Sequence, residues 1–552
     1  MKKIFVVVVS CAVLISQSVF SFTDKPSQKT FRISKNQTIF NSVLRELDAF
    51  YVDSLNYDKM MKSAVDEMLS KLDPYTVYMP EEETDELTFL TTGEYAGIGA
   101  VIMKKGNDIC ISDPYEGMPA QRADIRAGDI IVEVDGKQTK GMDVSRVSSM
   151  LKGAPNTQIK LKLQRFGEKK LIEKTFLRER IQVNPVAYSA VVADKTGYVL
   201  LTDFTDKSAN ELKNAVNEMV HKNGIESLII DLRNNGGGLV DEAVKIAGYF
   251  MPKGTEVVTT KGKNFLAART YRTPTEPLFP KMKLTVLVNR GSASASEILA
   301  GAIQDIDRGV VIGERTFGKG LVQNIRPVGY GGHLKITTAK YYIPSGRCIQ
   351  AIDYSHRNED GSIGRVPDSL TTEFTTRNGR KVRDGGGIVP DIVTTDDRKI
   401  NIAYYIFLQN HYFDFATRYK TAHATIEKPQ AFNLSDADFK AFVDYLKEVK
   451  FAYTTQTQKY FNQLEEVAEA EGLSETAKAE LAALKAKLNP DIDKNLLDYK
   501  KDIAELLSNE IIKRYYFQKG EIEFSLRNDQ DLKTALAKMA DVDEFAKILI
   551  KK

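Results

Sequence analysis

Residues 227–251 read SLIIDLRNNGGGLVDEAVKIAGYFM, and this stretch decides the fold. SLIIDLR is a short apolar run that suits a buried strand, three glycines then break the chain, and GLVDEAVKIAGYFM has the apolar spacing of a helix. Strand, glycine loop, helix is the unit of a parallel sheet with helical crossovers. The alternation continues outward on both sides. GYVLLTDF (197–204), LTVLVN (284–289) and GVVIGE (309–314) read as strands. SANELKNAVNEMVHKNG (208–224) and SASEILAGAIQD (294–305) read as helices, the first with Leu212, Val216, Met219 and Val220 on one side and a glycine stop. Residues 182–396 are therefore expected to form an α/β core around a largely parallel, buried sheet.

The rest of the chain reads differently. A length of 552 residues suggests about three to four domains. Lys2 and Lys3 precede IFVVVVSCAVLI, a basic region and an apolar stretch of the export-signal type, with Val19-Phe20-Ser21 as a cleavage site. The apolar run is shorter than the ~20 residues a spanning helix needs, so residues 1–21 are expected to be a signal peptide. Lipidation at Cys11, and with it membrane association, stays open. Cys110 and Cys348 alone remain after that segment, which is no disulfide framework. An exported chain of this kind suits the periplasm or envelope of a bacterium. Residues 22–88 are expected to be helical and 89–181 to form short strands and turns. Residues 397–552 are helical and charged, and the sequence does not choose between a packing arm, a dimer element and a partner surface. With 77 basic against 74 acidic residues there is no nucleic-acid footprint.

Three loops at predicted strand ends carry the chemistry. In DLRNNGGG (231–238) glycines free backbone N–H groups to approach a ligand, and the next helix points its N-terminus there. In NRGSASASE (289–297) serines stand where a strand turns sharply into a helix, where a hydroxyl is exposed or serves as a cap. GERTFGKG (313–320) is nearly a phosphate-binding loop, but Gly320 stands where a Mg²⁺-ligating Ser or Thr is required. Lys319 in that loop, once desolvated, can act as a neutral base. Of the five histidines, His221, His356, His411 and His423 sit in polar or C-terminal helical contexts, and His333 alone lies on a strand that could reach the site. There is no metal-binding motif and no cofactor signature. A Ser–Lys pair is what remains.

Two resemblances sharpen this. GIGA (97–100) and GMPAQRADIRAGDIIVEVDG (117–136) resemble a PDZ domain, with Ala123-Asp124 in place of the usual Ala-Gly pair. The resemblance implies that Gly97, Ile98, Gly99 and Ala100 capture the terminal carboxylate of a peptide that adds as a strand. DLRNNGGG, GSASASEILAGAIQD, GERTFGKGLVQ, YYIPSGRCIQ and GIVPDI occur in the order seen in the C-terminal processing (tail-specific) peptidase family. That resemblance covers roughly residues 31–393 and implies a crotonase-like core and a serine endopeptidase. By it Ser294 is the nucleophile, Lys319 its base and Gln323 the residue orienting the lysine amine. Gly238 and Ala295 supply the oxyanion N–H groups. Protein substrates with apolar C-termini are the implied partners, with a homo-oligomer and an adaptor protein as further options. Ser292 and Ser296 read as turn residues, Glu297 as a helix cap and Asp305 as half of a structural salt bridge. Residues 351–387 form a polar insertion relative to the family plan, either a flap or a surface loop.

Overall fold

The computed structural model describes residues 28–83, 91–263, 268–354, 363–394 and 400–550. The expected signal peptide, Cys11 and His356 lie outside the described residues. The chain divides into two units, Met1–Tyr78 and Met79–Lys552. The first holds helices α1 (Gln28–Phe50) and α2 (Tyr57–Ser70). Asn56 caps α2 by accepting from the Lys59 N–H at 2.9 Å. The Asp73 carboxylate accepts from the N–H groups of Tyr75 and Thr76, which turns the chain after it.

The second unit begins with the small β domain. Strands β1 (Glu94–Gly97), β2 (Ala100–Lys105), β3 (Asp108–Pro114), β4 (Ile130–Val134), β5 (Gln158–Gln164), β6 (Ile172–Leu177) and β7 (Glu179–Gln182) carry helices α3 (Pro119–Arg122) and α4 (Val144–Leu151) between them. The sheet order is β2-β3-β4-β5-β6, and β1 pairs separately with β7. Ile109, Ile111, Ile131, Ile159, Leu161 and Leu163 alternate along their strands and are fully or almost fully buried with Val147 and Leu151 of α4. Period-two burial of this kind fixes the register, because a one-residue slip would turn every one of them outward.

The α/β core follows. Its strands are β8 (Val186–Ala193), β9 (Thr196–Leu201), β10 (Ser227–Asp231), β11 (Glu256–Gly262), β12 (Arg269–Arg272), β13 (Lys283–Val288), β14 (Val310–Gly313), β15 (Leu321–Gly329), β16 (Gly332–Tyr342), β17 (Glu373–Thr375), β18 (Lys381–Arg383) and β19 (Ile392–Val393). Helices α5 (Ser208–Asn223), α6 (Val240–Gly248) and α7 (Ala295–Asp305) cross between them. The main sheet runs β8-β9-β10-β13-β14-β19, with every pair parallel except β8 with β9. Gly224, at φ +63°, ends α5 where the glycine stop is expected. A second sheet joins β11, β12, β15 and β16.

One face of the main sheet, with Val199, Leu228, Ile230, Val286 and Val311, packs on α5, α6 and α7. The other face exposes Tyr198, Ile229, Leu287, Val310 and Ile312, and the far end of the chain covers it. After α8 (Ile402–Leu408), α9 (His411–Ala422), α10 (Asp436–Glu448), α11 (Gln456–Ala470), α12 (Lys478–Leu488), α13 (Ile492–Asp498) and α14 (Lys500–Ser525) come α15 (Gln530–Ala540) and α16 (Val542–Ile548). Leu532, Ala535 and Met539 of α15 and Phe545 of α16 close the sheet. The last two helices are thus a layer of the core, while α8, α9, α10 and α14 build a cluster of their own around Phe415, Phe442 and Ile511. Among the described residues no helix is long and apolar enough to cross a membrane.

The described part of the polar insertion is anchored. Arg380 pairs with Asp307 and Asp391, and the Arg377 N–H donates to the Asp305 carbonyl. Asp305 carries the expected structural salt bridge, to Arg347 at 2.8 Å, with both side chains buried.

Candidate active site

Strands β10, β13 and β14 are neighbours and parallel, so the loops after Asp231, Val288 and Gly313 leave the same edge of the sheet. Sites in parallel α/β sheets form at this carboxyl edge. The three loops singled out in the sequence are these three.

The serine loop is tied to the glycine loop by small polar groups. Ser292 Oγ donates to the Leu232 carbonyl at 2.8 Å, and Ser296 Oγ to the Asn235 carbonyl at 2.9 Å. Asn235 is fully buried, donates through Nδ2 to the Leu201 carbonyl and accepts the Gly237 N–H. A Cβ on Gly237 would lie 2.7 Å from Ser294 Cβ and 2.9 Å from the Ala295 nitrogen, so the approach requires glycine. Ser294 itself is half-buried, with φ +56° and ψ −114°. That is a strained conformation for a residue with a side chain, of the kind that clusters at functional sites. Ala295 opens α7, where an N–H has no partner within the helix. Gly238, at φ +141°, is exposed.

The lysine loop is joined to Ser294 through Glu297. Oε2 of this fully buried carboxylate accepts the N–H groups of Ser294 at 2.9 Å and Lys319 at 2.8 Å. Oε1 accepts from Thr316 Oγ1 at 2.5 Å and from the Gly318 N–H at 2.8 Å. Burial pushes the Glu297 carboxyl up to about 7, against these hydrogen bonds, which pull it down. The predicted cap is therefore also a clamp between two loops. A second bridge is the hydroxyl of Tyr341, within hydrogen-bonding distance of the carbonyls of Ser294 and Lys319.

The phosphate-loop alternative finds most of its backbone donors already taken. The N–H groups of Glu314, Thr316, Phe317, Gly318, Lys319 and Gly320 all donate inward, the last to Gln350 Oε1 at 2.6 Å. Gln323 lies on β15, and its Nε2 donates to Thr337 Oγ1 at 3.1 Å. His333 lies opposite Pro327 near the hairpin turn, eight strand residues and so about 26 Å from Tyr341. Among the described residues no group of three or more His, Cys, Asp or Glu is placed to hold a metal. Thr316, Tyr341, Gln350 and Asn235 were not foreseen as site residues. Tyr341 and Gln350 both fall within YYIPSGRCIQ, which is the signal that could have found them.

The loop Gly97–Ala100 turns from β1 into β2, the edge strand of the small sheet, across from α4. Gly99 sits at φ +71°, and a Cβ there would lie 2.5 Å from Met118 Cβ.

Comparison with known proteins agrees with this architecture. The profile of peptidase family S41 matches residues 195–356, a PDZ domain matches 110–165, and a C-terminal helical domain of probable PDZ-proteases matches 402–539. A carboxy-terminal-processing protease of Bartonella bacilliformis is 36% identical over 335 residues, covering 60% of this chain and 76% of the relative. The chain belongs to peptidase family S41. A probable CtpA-like serine protease of Staphylococcus aureus is 39% identical over 316 residues, or 57% of this chain, and the chain spans 62% of that relative's length. Among solved structures it is similar to a photosystem II D1 C-terminal processing protease, with 28% identity, a TM-score of 0.38, and coverage of 67% of this chain and 88% of that one.

Proposed function

We propose that the protein is an exported serine endopeptidase that captures protein chains by an apolar C-terminal tail and hydrolyses them with Ser294 and Lys319. The observation that carries the reading is the single carboxylate oxygen of Glu297 that holds the backbones of both residues at one place. Neither the strained φ of Ser294 nor the close approach of Gly237 has a use in a scaffold.

In this mechanism the neutral amine of Lys319 takes the proton of Ser294 Oγ as that oxygen attacks the scissile carbonyl carbon. The carbonyl becomes an oxyanion that accepts from the Gly238 and Ala295 N–H groups, donors of a kind worth about 3–4 kcal/mol each. The Lys319 ammonium returns its proton to the leaving amine, and an acyl ester remains on Ser294. Lys319 then deprotonates a water, which attacks the ester. The carboxylic acid departs and Ser294 recovers its proton. Gln323 orients the amine. Its Nε2 faces Thr337, which turns the acceptor end of the amide the other way. The tail enters beside β2, whose outer edge can pair with an added strand.

The test uses one loosely folded protein substrate bearing an apolar or a charged C-terminal tail. Wild type is expected to cut the apolar-tailed form faster, and Ser294→Ala and Lys319→Ala to lose activity by roughly a thousandfold or more. Cutting by both variants would place the site elsewhere, and equal rates on the two tails would remove the capture role.

A further inference from the structure

The guanidinium of Arg233, on the glycine loop, is enclosed by carboxylates from two distant parts of the chain. Nη1 donates to Asp529 Oδ1 at 3.0 Å and Asp531 Oδ2 at 2.9 Å. Nη2 donates to Asp529 Oδ2 and Asp231 Oδ2, both at 2.5 Å. Nε donates to both oxygens of Asp231 at 3.0 Å. The four side chains are between 2% and 19% exposed, so solvent screens them little. Every N–H of the fork has a carboxylate, the bidentate arrangement that gives arginine its directional hold.

These aspartates are not on a loose tail. Asp529 caps α15 by accepting the Leu532 N–H at 2.9 Å, and Asp531 lies in its first turn, where negative charge meets the positive end of the helix. α15 is seated on the main sheet through Leu532, Ala535 and Met539, and Lys283 Nζ donates to the Met539 carbonyl at 2.7 Å. On the other side of Arg233 the loop is a continuous set of hydrogen bonds. Asn234 and Asn289 bond reciprocally at 2.9 and 3.0 Å, Asn235 reaches the Leu201 carbonyl, and Gly237 donates to Asn235. A Cβ built on Gly237 would lie 2.7 Å from Ser294 Cβ, and Gly238 follows Gly237 in the chain.

We propose that Asp529 and Asp531 are positioning residues for the glycine loop, so that the C-terminal helical region completes the peptidase site rather than only attaching to it. The inference rests on the reading of Gly238 as an oxyanion donor. Without the two carboxylates, Arg233 keeps Asp231 alone and the loop loses its tie to the sheet's second helical layer. A donor displaced from an oxyanion affects the transition state and not the bound substrate, so the loss belongs in kcat.

The experiment compares full-length wild type, Asp531→Asn and the double variant Asp529→Asn/Asp531→Asn on the apolar-tailed substrate. Folded fraction is followed by thermal melting, and tail capture by titration with a peptide of the tail sequence. The double variant is expected to lose at least about tenfold in kcat with KM and tail affinity within about twofold of wild type. If the double variant does not fold, Asp531→Asn, which replaces a charged acceptor of Nη1 by a neutral one, carries the test with an expected loss of about threefold in kcat. A folded variant with wild-type kcat, or a kcat that falls only in step with the folded fraction, overturns the proposal. A wild type that hydrolyses nothing sinks the peptidase reading and this one with it. An active wild type matched by its variants sinks this one alone.

Discussion

The carboxylate of Glu297 accepts the backbone N–H of Lys319, 22 residues further along the chain, at 2.8 Å. The same oxygen accepts the N–H of Ser294. Two loops that leave neighbouring strands thus meet on one buried atom. The partners of the carboxylate are three N–H groups and one hydroxyl, and only the Thr316 hydroxyl could turn round and accept a proton from it.

Glu297→Gln is therefore expected to leave at least one buried N–H facing an NH₂ group, costing roughly 1–3 kcal/mol, and to lower kcat about a hundredfold by shifting the lysine loop. The pH dependence has a definite sign. The carboxyl is raised from 4.5 to about 7 in the fold, so between those values the native state holds a proton that the unfolded chain has lost. Stability then falls as pH rises through that window, and is flat below and above it. Glutamine does not titrate, so the advantage of wild type over the variant narrows from pH 4.5 to 7. Urea unfolding of both proteins at several pH values checks this, and a gap that widens with pH would contradict it.

Gly237→Ala places a methyl group 2.7 Å from Ser294 Cβ at a φ of +102°. Strain of this kind costs about 1–3 kcal/mol, and displacement of the Ser294 turn is expected to lower kcat about a hundredfold. Gly236→Ala is the control in the same loop, because an added Cβ there meets nothing within 4 Å. Steady-state kinetics on the pair distinguishes a steric requirement from general loop sensitivity. Equal activities would show that the close approach is not needed.

Gly99→Ala separates capture from chemistry. The methyl group would lie 2.5 Å from Met118 Cβ at φ +71°, which forces the loop before β2 to move. Affinity for an apolar-tailed peptide is expected to fall about tenfold, while the rate of Ser294 modification by a fluorophosphonate stays at the wild-type level. Unchanged peptide affinity would mean that this loop does not hold the tail.

Much of this was legible in sequence for local reasons. Apolar runs such as SLIIDLR and LTVLVN became β10 and β13 because a strand buried on both faces needs no polar alternation. Asp305 read correctly as a structural partner, while the glycines of the first loop were read for a ligand's approach and the structure shows Gly237 and Gly238 closely approached by the protein's own backbone. What stayed hidden was pairing at long range. Nothing near Glu297 marks it as more than a cap, since its second partner arrives with another strand. The helices α15 and α16 read like the charged helices before them, because propensity reports that a segment is helical and not what it covers.

By itself the sequence determined the parallel α/β core and the small β domain, since periodicity is carried by neighbours along the chain, and it named the serine and the lysine proposed here as nucleophile and base. Only the tertiary structure decided which carboxylate joins the serine to the lysine loop, and that Asp529 reaches Arg233 across 296 residues. Those choices depend on which strands lie side by side and which helix seals the second face of the sheet, and burial of the whole core settles them together.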